Sequence, residues 1–178
     1  MKSSAVEERA SALSFEGLLG MDGMRHSLFS LAGARATIVV FTANGCPTAR
    51  SYEDRLEALQ SRWGSDGVRL VAINSNNPYL SPSDTLQEMV ARSAKRGWSF
   101  PYLKDRGCEV AKSYGAICTP HAFVLDHDLK LVYSGRIDDS RTGNTVSSRD
   151  LENALAELAD GRAVAVDHTE PFGCSIVW

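Results

Sequence analysis

Apolar residues fall along this chain in two kinds of block, short continuous runs and longer stretches with helical spacing. The run Thr37–Phe41 is β-branched and apolar almost throughout, as a strand buried on both faces would be. After it, Ala49, Tyr52, Leu56, Leu59 and Trp63 recur at helical spacing. They predict a helix from Pro47 to Trp63, with Glu53, Asp54, Arg55 and Glu57 turned mostly to water. Gly67–Asn76 is a second apolar run bounded by turn residues. Strand, helix and strand in this order imply a right-handed crossover and parallel pairing.

Turn chemistry supplies the remaining elements. Asp22-Gly23 between short apolar segments predicts a β-hairpin ahead of the main sheet. Ser81-Pro82-Ser83-Asp84 resembles a capping box and opens a helix on Leu86, Met89, Val90 and Ala94, with Glu88, Arg92, Lys95 and Arg96 as its solvated face. A short strand over Phe100–Leu103 and a short helix over Asp105–Tyr114 follow, the helix ended by Gly115. Ala122–Leu125 and Lys130–Asp138 flank a turn and read as a second hairpin. Pro120 marks its start and is a candidate for a cis peptide bond. Ser147–Asp150 again resembles a capping box, before a helix on Leu151, Ala154, Leu155 and Leu158 that Gly161 closes. The expected architecture is α/β, a mixed central sheet with helices on both faces. Residues 1–13 read as a flexible arm, 14–162 as the domain, and 163–178 as a tail that docks on it through Ile176-Val177-Trp178.

Composition narrows the function classes. The 178 residues carry a net charge of -3, with 43% hydrophobic and 23% charged residues, as ordinary globular domains do. Basic and acidic residues are interspersed, so neither a nucleic-acid stripe nor a membrane patch is expected. The start, MKSSAVEERASALSFEG, lacks the apolar core of a secretory signal, and a cytoplasmic protein is the expectation. The four cysteines form no CxxC pair, which argues against structural zinc; no metal or cofactor is expected.

Candidate chemistry centres on Cys46. It falls between the first long strand and its helix, and Pro47 suits the first helical position. The sulfur would therefore sit at the N-cap, where unpaired backbone N–H groups stabilise a thiolate. Asn44, Gly45 and Pro47 mark an exposed turn rather than a strand interior, so a reactive thiol is expected over an inert buried one.

The segments VVFTANGCPTARSYEDRL, AKSYGAICTPHAFVLD, LVYSGRIDD, DLENALAELADGRAVAV and TEPFGCSIVW, in this order, resemble the thioredoxin fold. Within it they are most similar to the redoxin family related to alkyl hydroperoxide reductase and thiol-specific antioxidant proteins, in its peroxiredoxin-like branch. The resemblance implies a thiol-dependent oxidoreductase, with Cys46 attacking a peroxide or a protein disulfide and an external thiol such as a thioredoxin as reductant. Ala49 replaces the second cysteine of a CxxC, so that disulfide cannot form. Ala43 stands where many members of the branch carry a further cysteine and where typical peroxiredoxins carry a threonine, and Val40 where thioredoxins bury an acid.

A second thiol, from this chain or external, must then resolve an oxidised Cys46. Cys118 is preferred, because the resemblance places the Thr119-Pro120 loop beside Cys46; Cys174, in a Gly-Cys tail segment, is the alternative, and Cys108 reads as a packing or surface cysteine. Thr119 and a cis Pro120 would offer backbone groups to a bound thiol or peptide. Arg136 would stabilise a thiolate or peroxide oxygen unless it pairs with Asp138 or Asp139; Arg50 is similarly placed, and Glu53 would carry protons only if turned inward. Two alternatives use the same residues: a redox-responsive binding module built on the cis-proline groove, and a soft-metal carrier in which His121 joins Cys46 and Cys118.

Overall fold

A computed structural model describes residues 13–178. The expected N-terminal arm thus lies outside the described residues except for Leu13, which is buried. Among the described residues, nine strands and six α-helices follow in chain order. They are β1 (Leu18–Gly20), β2 (Arg25–His26), α1 (Leu28–Leu31), β3 (Ala36–Phe41), α2 (Pro47–Ser51), α3 (Glu53–Trp63), β4 (Val68–Asn74), α4 (Leu86–Arg96), β5 (Tyr102–Lys104), α5 (Glu109–Tyr114), β6 (Cys118–Thr119), β7 (His121–Asp126), β8 (Leu131–Gly135), α6 (Asp150–Ala159) and β9 (Cys174–Ser175).

Seven strands form one sheet in the order β2-β1-β5-β4-β3-β7-β8, and β6 and β9 form a separate pair. β3 is buried along its whole length because it is central, parallel to β4 and antiparallel to β7. Its alternate residues serve two cores. Ile38 and Val40, with Leu70 and Val124, pack against Tyr52, Leu56, Leu59, Met89 and Leu151. Val39 and Phe41, with Ile73 and Phe123, pack against Leu28, Leu31, Val110 and Tyr114. Helices therefore cover both faces, and the chain has the α/β thioredoxin-like fold. The N-terminal hairpin forms around Asp22-Gly23 as expected, and it joins the edge of the main sheet through β5.

Several local expectations change. The helix after Cys46 is two helices meeting at Tyr52, which caps α2 and begins α3 while its side chain is 1% exposed. Glu53 is buried, not solvated, because Arg92 binds its carboxylate through Nε and Nη2 at 2.6 Å each and Arg96 Nε lies 3.3 Å away. Arg92 accordingly leaves the solvated face of α4, while Val90 and Ala94 join it. Ser81–Asp84 does not start the helix. Pro82–Asp84 is a 3-10 turn, and Thr85 is the cap that accepts from the Glu88 N–H at 3.4 Å. The capping box before α6 is likewise unformed: Arg149 holds the N-cap, and Ser148 Oγ donates to the Asp150 side chain. The short strand before α5 is shifted to Tyr102–Lys104.

Met89 is fully buried and Val90 is 46% exposed, so the inward face of α4 is directly testable. Met89→Ala is expected to cost about 2–5 kcal/mol in urea unfolding, for the lost transfer energy plus the cavity. Val90→Ala should change stability by no more than about 0.5 kcal/mol.

Candidate functional site

Cys46 is the N-cap of α2, in extended conformation ahead of Pro47, as the Cys-Pro order requires. Its sulfur accepts from the Ala49 N–H at 3.2 Å. It also contacts the Thr119 carbonyl oxygen at 3.1 Å, immediately before the cis Thr119-Pro120 bond. The expected exposed turn is only half right. Gly45 and Pro47 are exposed, but Cys46 is 2% exposed, packed against Cys174 of the C-terminal tail, and Asn44 is buried among Ser83, Asp84 and Tyr102.

The tail brings the second sulfur. β9 pairs antiparallel with β6 in the register Thr119↔Cys174 and Cys118↔Ser175. The Sγ atoms of Cys46 and Cys174 are 2.7 Å apart, with both residues present as free cysteines. Residues directly opposite in an antiparallel pair share a face, and neighbours along a strand alternate. Thr119 and Cys174 thus face Cys46 together, whereas Cys118 points the other way and its thiol lies 3.8 Å from the Pro120 carbonyl. The preferred partner of the sequence reading is therefore out of line with Cys46, and the alternative is in contact with it.

The two thiols titrate as a pair. Burial pushes Cys46 up, but hydrogen bonds from the Cys174 and Thr119 side chains and the Ala49 N–H outweigh it and hold Cys46 below the usual thiol range. Cys174 moves the opposite way, raised by burial and by its bond to Cys46 and that neighbour's charge. The opposite directions share one cause, the contact between the two sulfurs. Cys118 is pushed up to about 11 by burial and the nearby Cys46, and Cys108 is raised by burial and Asp105. Cys108 is buried and donates to the Ser75 carbonyl at 2.9 Å, a packing role.

Other expected site residues lie apart. Arg136 binds Asp150 at 2.7 Å, anchoring α6, and pairs with neither Asp138 nor Asp139. Asp138 instead holds Arg55 at 2.7 Å. Arg50 is exposed. Glu53 does turn inward, but two arginines occupy it. The His121 ring stacks on Phe123 with centroids 4.3 Å apart, and its pKa falls to about 4, chiefly through burial. The β6 edge that a binding module would use is occupied by β9.

A buried carboxylate that the sequence reading did not single out holds the site together. Asp84 accepts from the Asn44 N–H at 2.7 Å, the Gly45 N–H at 3.4 Å, Asn74 Nδ2 at 2.7 Å, Asn76 Nδ2 at 3.0 Å and the Ser81 hydroxyl. Asn76 Oδ1 in turn accepts from the Val177 N–H at 2.9 Å, and the Asn77 N–H donates to the Val177 carbonyl at 2.7 Å. The turn bearing Cys46 and the tail bearing Cys174 thus share one anchor. The available sequence signal was Asp84 among Ser81, Ser83 and Thr85, which reads equally well as a surface cap.

The fold is thioredoxin-like, with a cysteine at the start of the helix after the central strand, a cis-proline loop beside it and a second sulfur in contact. The chain belongs to the AhpC/TSA family, whose model matches residues 8–134. It is similar to the thiol-disulfide oxidoreductase ResA of Halalkalibacterium halodurans, with 28% identity over 112 residues. That match covers 63% of this chain and 59% of ResA, so the chain matches less than two thirds of its curated relative. Among solved structures, an uncharacterized conserved protein from Geobacillus kaustophilus superposes with a TM-score of 0.86 at 34% identity, covering 93% of this chain and 96% of the other. A thioredoxin family thiol:disulfide interchange protein from Chlorobium tepidum TLS gives 0.58 at 26%, covering 72% and 86%.

Asp84→Asn tests the anchor. Burial raises the Asp84 pKa, but the hydrogen bonds from Ser81, Asn76, Asn74 and Asn44 outweigh it and leave the carboxyl below its ordinary value. A lowered carboxyl pKa stabilises the fold above the unfolded-state value and loses that contribution as pH falls through the folded-state value. Asp84→Asn should cost about 1–3 kcal/mol near neutral pH by urea unfolding. The gap from wild type should narrow below about pH 4.

Proposed function

We propose that the protein is a two-cysteine thiol oxidoreductase in which Cys46 is the nucleophile and Cys174 the resolving thiol. The carrying observation is the 2.7 Å approach of the two sulfurs across the β6–β9 pair. A disulfide requires about 2.05 Å, within reach of a small adjustment of the tail. Cys46, the more acidic thiol, attacks an electrophilic oxygen or sulfur as its thiolate. Cys174 keeps its proton until the first step is complete, then displaces the group left on Cys46 and closes the intramolecular disulfide. An external thiol reductant, of the kind a thioredoxin supplies, returns both to the reduced state in the cytoplasm. Cys118 stays outside this cycle because the β6–β9 register turns it away from Cys46.

The test is peptide mapping of the reduced protein after one equivalent of hydrogen peroxide. Wild type and Cys118→Ser should both yield a Cys46–Cys174 disulfide, and Cys174→Ser should stop at a Cys46 sulfenic acid that dimedone traps. Cys46→Ser should slow peroxide consumption by at least about 100-fold. A disulfide linking Cys46 to Cys118 in wild type would overturn the assignment of the resolver.

A further inference from the structure

We propose that the cavity between the turn after β4, the start of α4 and the end of β5 binds a small organic oxyanion, a carboxylate or phosphate carried on an apolar body. No cysteine lines this cavity, so the inference stands apart from the redox reading. Its volume is about 470 Å³, within the range of small-molecule pockets.

The walls are of two kinds. Pro78, Tyr79 and Leu86 supply apolar surface, and Tyr79 is 92% exposed, an aromatic ring that the fold leaves in water. Asn77 fixes the backbone under that ring. Its N–H donates to the Val177 carbonyl at 2.7 Å, its Oδ1 accepts from the Tyr79 N–H at 3.0 Å, and its carbonyl accepts from the Leu80 N–H at 3.1 Å.

Lys104 and Arg106 supply the charge. Lys104 is 3% exposed, and its ammonium donates to three neutral oxygens, Asn74 Oδ1 and the carbonyls of Asn76 and Asp84. The nearby acids are engaged elsewhere. The Asp84 carboxylate takes Asn44, Asn74, Asn76 and Ser81, and Asp105 takes the Ser75 hydroxyl at 2.8 Å and the Ala111 N–H at 3.1 Å. Arg106 is exposed, and among the described residues no carboxylate pairs with it. Burial is the chief force lowering the Lys104 pKa; Asp84, Cys108 and Asp105 oppose it, and the Arg106 charge adds to it, so the two cations repel one another.

Thr85 and Leu86 open α4, whose first turn adds the positive end of a helix dipole. Glu88, the acid of that turn, is exposed and not part of the wall. Four other cavities among the described residues each carry a carboxylate: Asp138 and Glu152 in one, Asp66 and Asp126 in another, Asp22 in a third, Asp150 and Glu157 in the fourth. This one has two cations and no acid, and an oxyanion supplies the missing charge. The Arg106 guanidinium offers it paired N–H donors. Lys104, whose protons are already placed, contributes charge alone, and the apolar body of the ligand lies along Tyr79, Pro78 and Leu86.

The test is a titration of the reduced, full-length protein with phenylacetate, phenyl phosphate and the neutral phenethyl alcohol, followed by amide shifts in proton–nitrogen correlation spectra. At least one anion is expected to saturate, with shifts concentrated at Asn77, Tyr79, Leu86 and Arg106, and the tighter of the two assigns the head group. Arg106→Gln should weaken that anion about tenfold or more, and Tyr79→Ala about threefold or more. Both side chains are exposed, so the variants keep the fold, which unchanged spectra away from the cavity establish. Alcohol binding as tight as that of both anions, an Arg106→Gln affinity equal to wild type, or no saturation by either anion up to about 10 mM would overturn the site.

Discussion

The buried carboxylate of Asp84 fixes the two backbone segments between which the cysteines meet. On one side it binds the N–H groups of Asn44 and Gly45, so the turn before Cys46 cannot rotate away from the sheet. On the other it orients Asn76, which takes the Val177 N–H. Lys104 completes the cluster by donating to Asn74 Oδ1, Asn76 O and the Asp84 carbonyl, so the buried polar atoms around the carboxylate are joined to one another. A half-satisfied cluster in such a place would be costly, and a satisfied one is rigid. The separation of the two sulfurs is thus set largely by groups that take no part in their chemistry.

Much of the fold was legible because it rests on periodicity. The β-branched run of β3, the helical stripe Tyr52, Leu56, Leu59 and Trp63, and the Asp22-Gly23 hairpin all formed where the pattern placed them. Patterns failed where a charged residue found a partner distant in sequence. Glu53 reads as solvated on its own helix and is buried only because Arg92 and Arg96 arrive from α4. Ser81–Asp84 carries the composition of a helix cap, yet its acid is used by the Cys46 turn, across 40 positions of chain.

The site was legible in its first half. Cys46, its Pro47 and the cis Pro120 follow from local chemistry, and the family match spans them. The partner sulfur was harder, since the family match ends before the segment bearing Cys174. The resemblance, which places the Thr119-Pro120 loop beside Cys46, favoured Cys118 next to that loop. Strand alternation supports the proposed pairing: in a two-residue strand neighbouring side chains face opposite ways, so Thr119 turns toward Cys46 and Cys118 away. No composition or spacing argument contains that information until the register of β6 against β9 is known.

The same pairing has a thermodynamic side. A bond between Cys46 and Cys174 would close a loop across 128 positions and tie the terminal segment to the central strand. In the chain-entropy account such a closure removes about 5 kcal/mol of freedom from the unfolded ensemble. That is comparable to the entire net stability of many domains of this size. Oxidation state and resistance to unfolding would then be one variable. In its resting dithiol form the protein would be the more readily unfolded and proteolysed, and each encounter with oxidant would lengthen its lifetime until a reductant returned it.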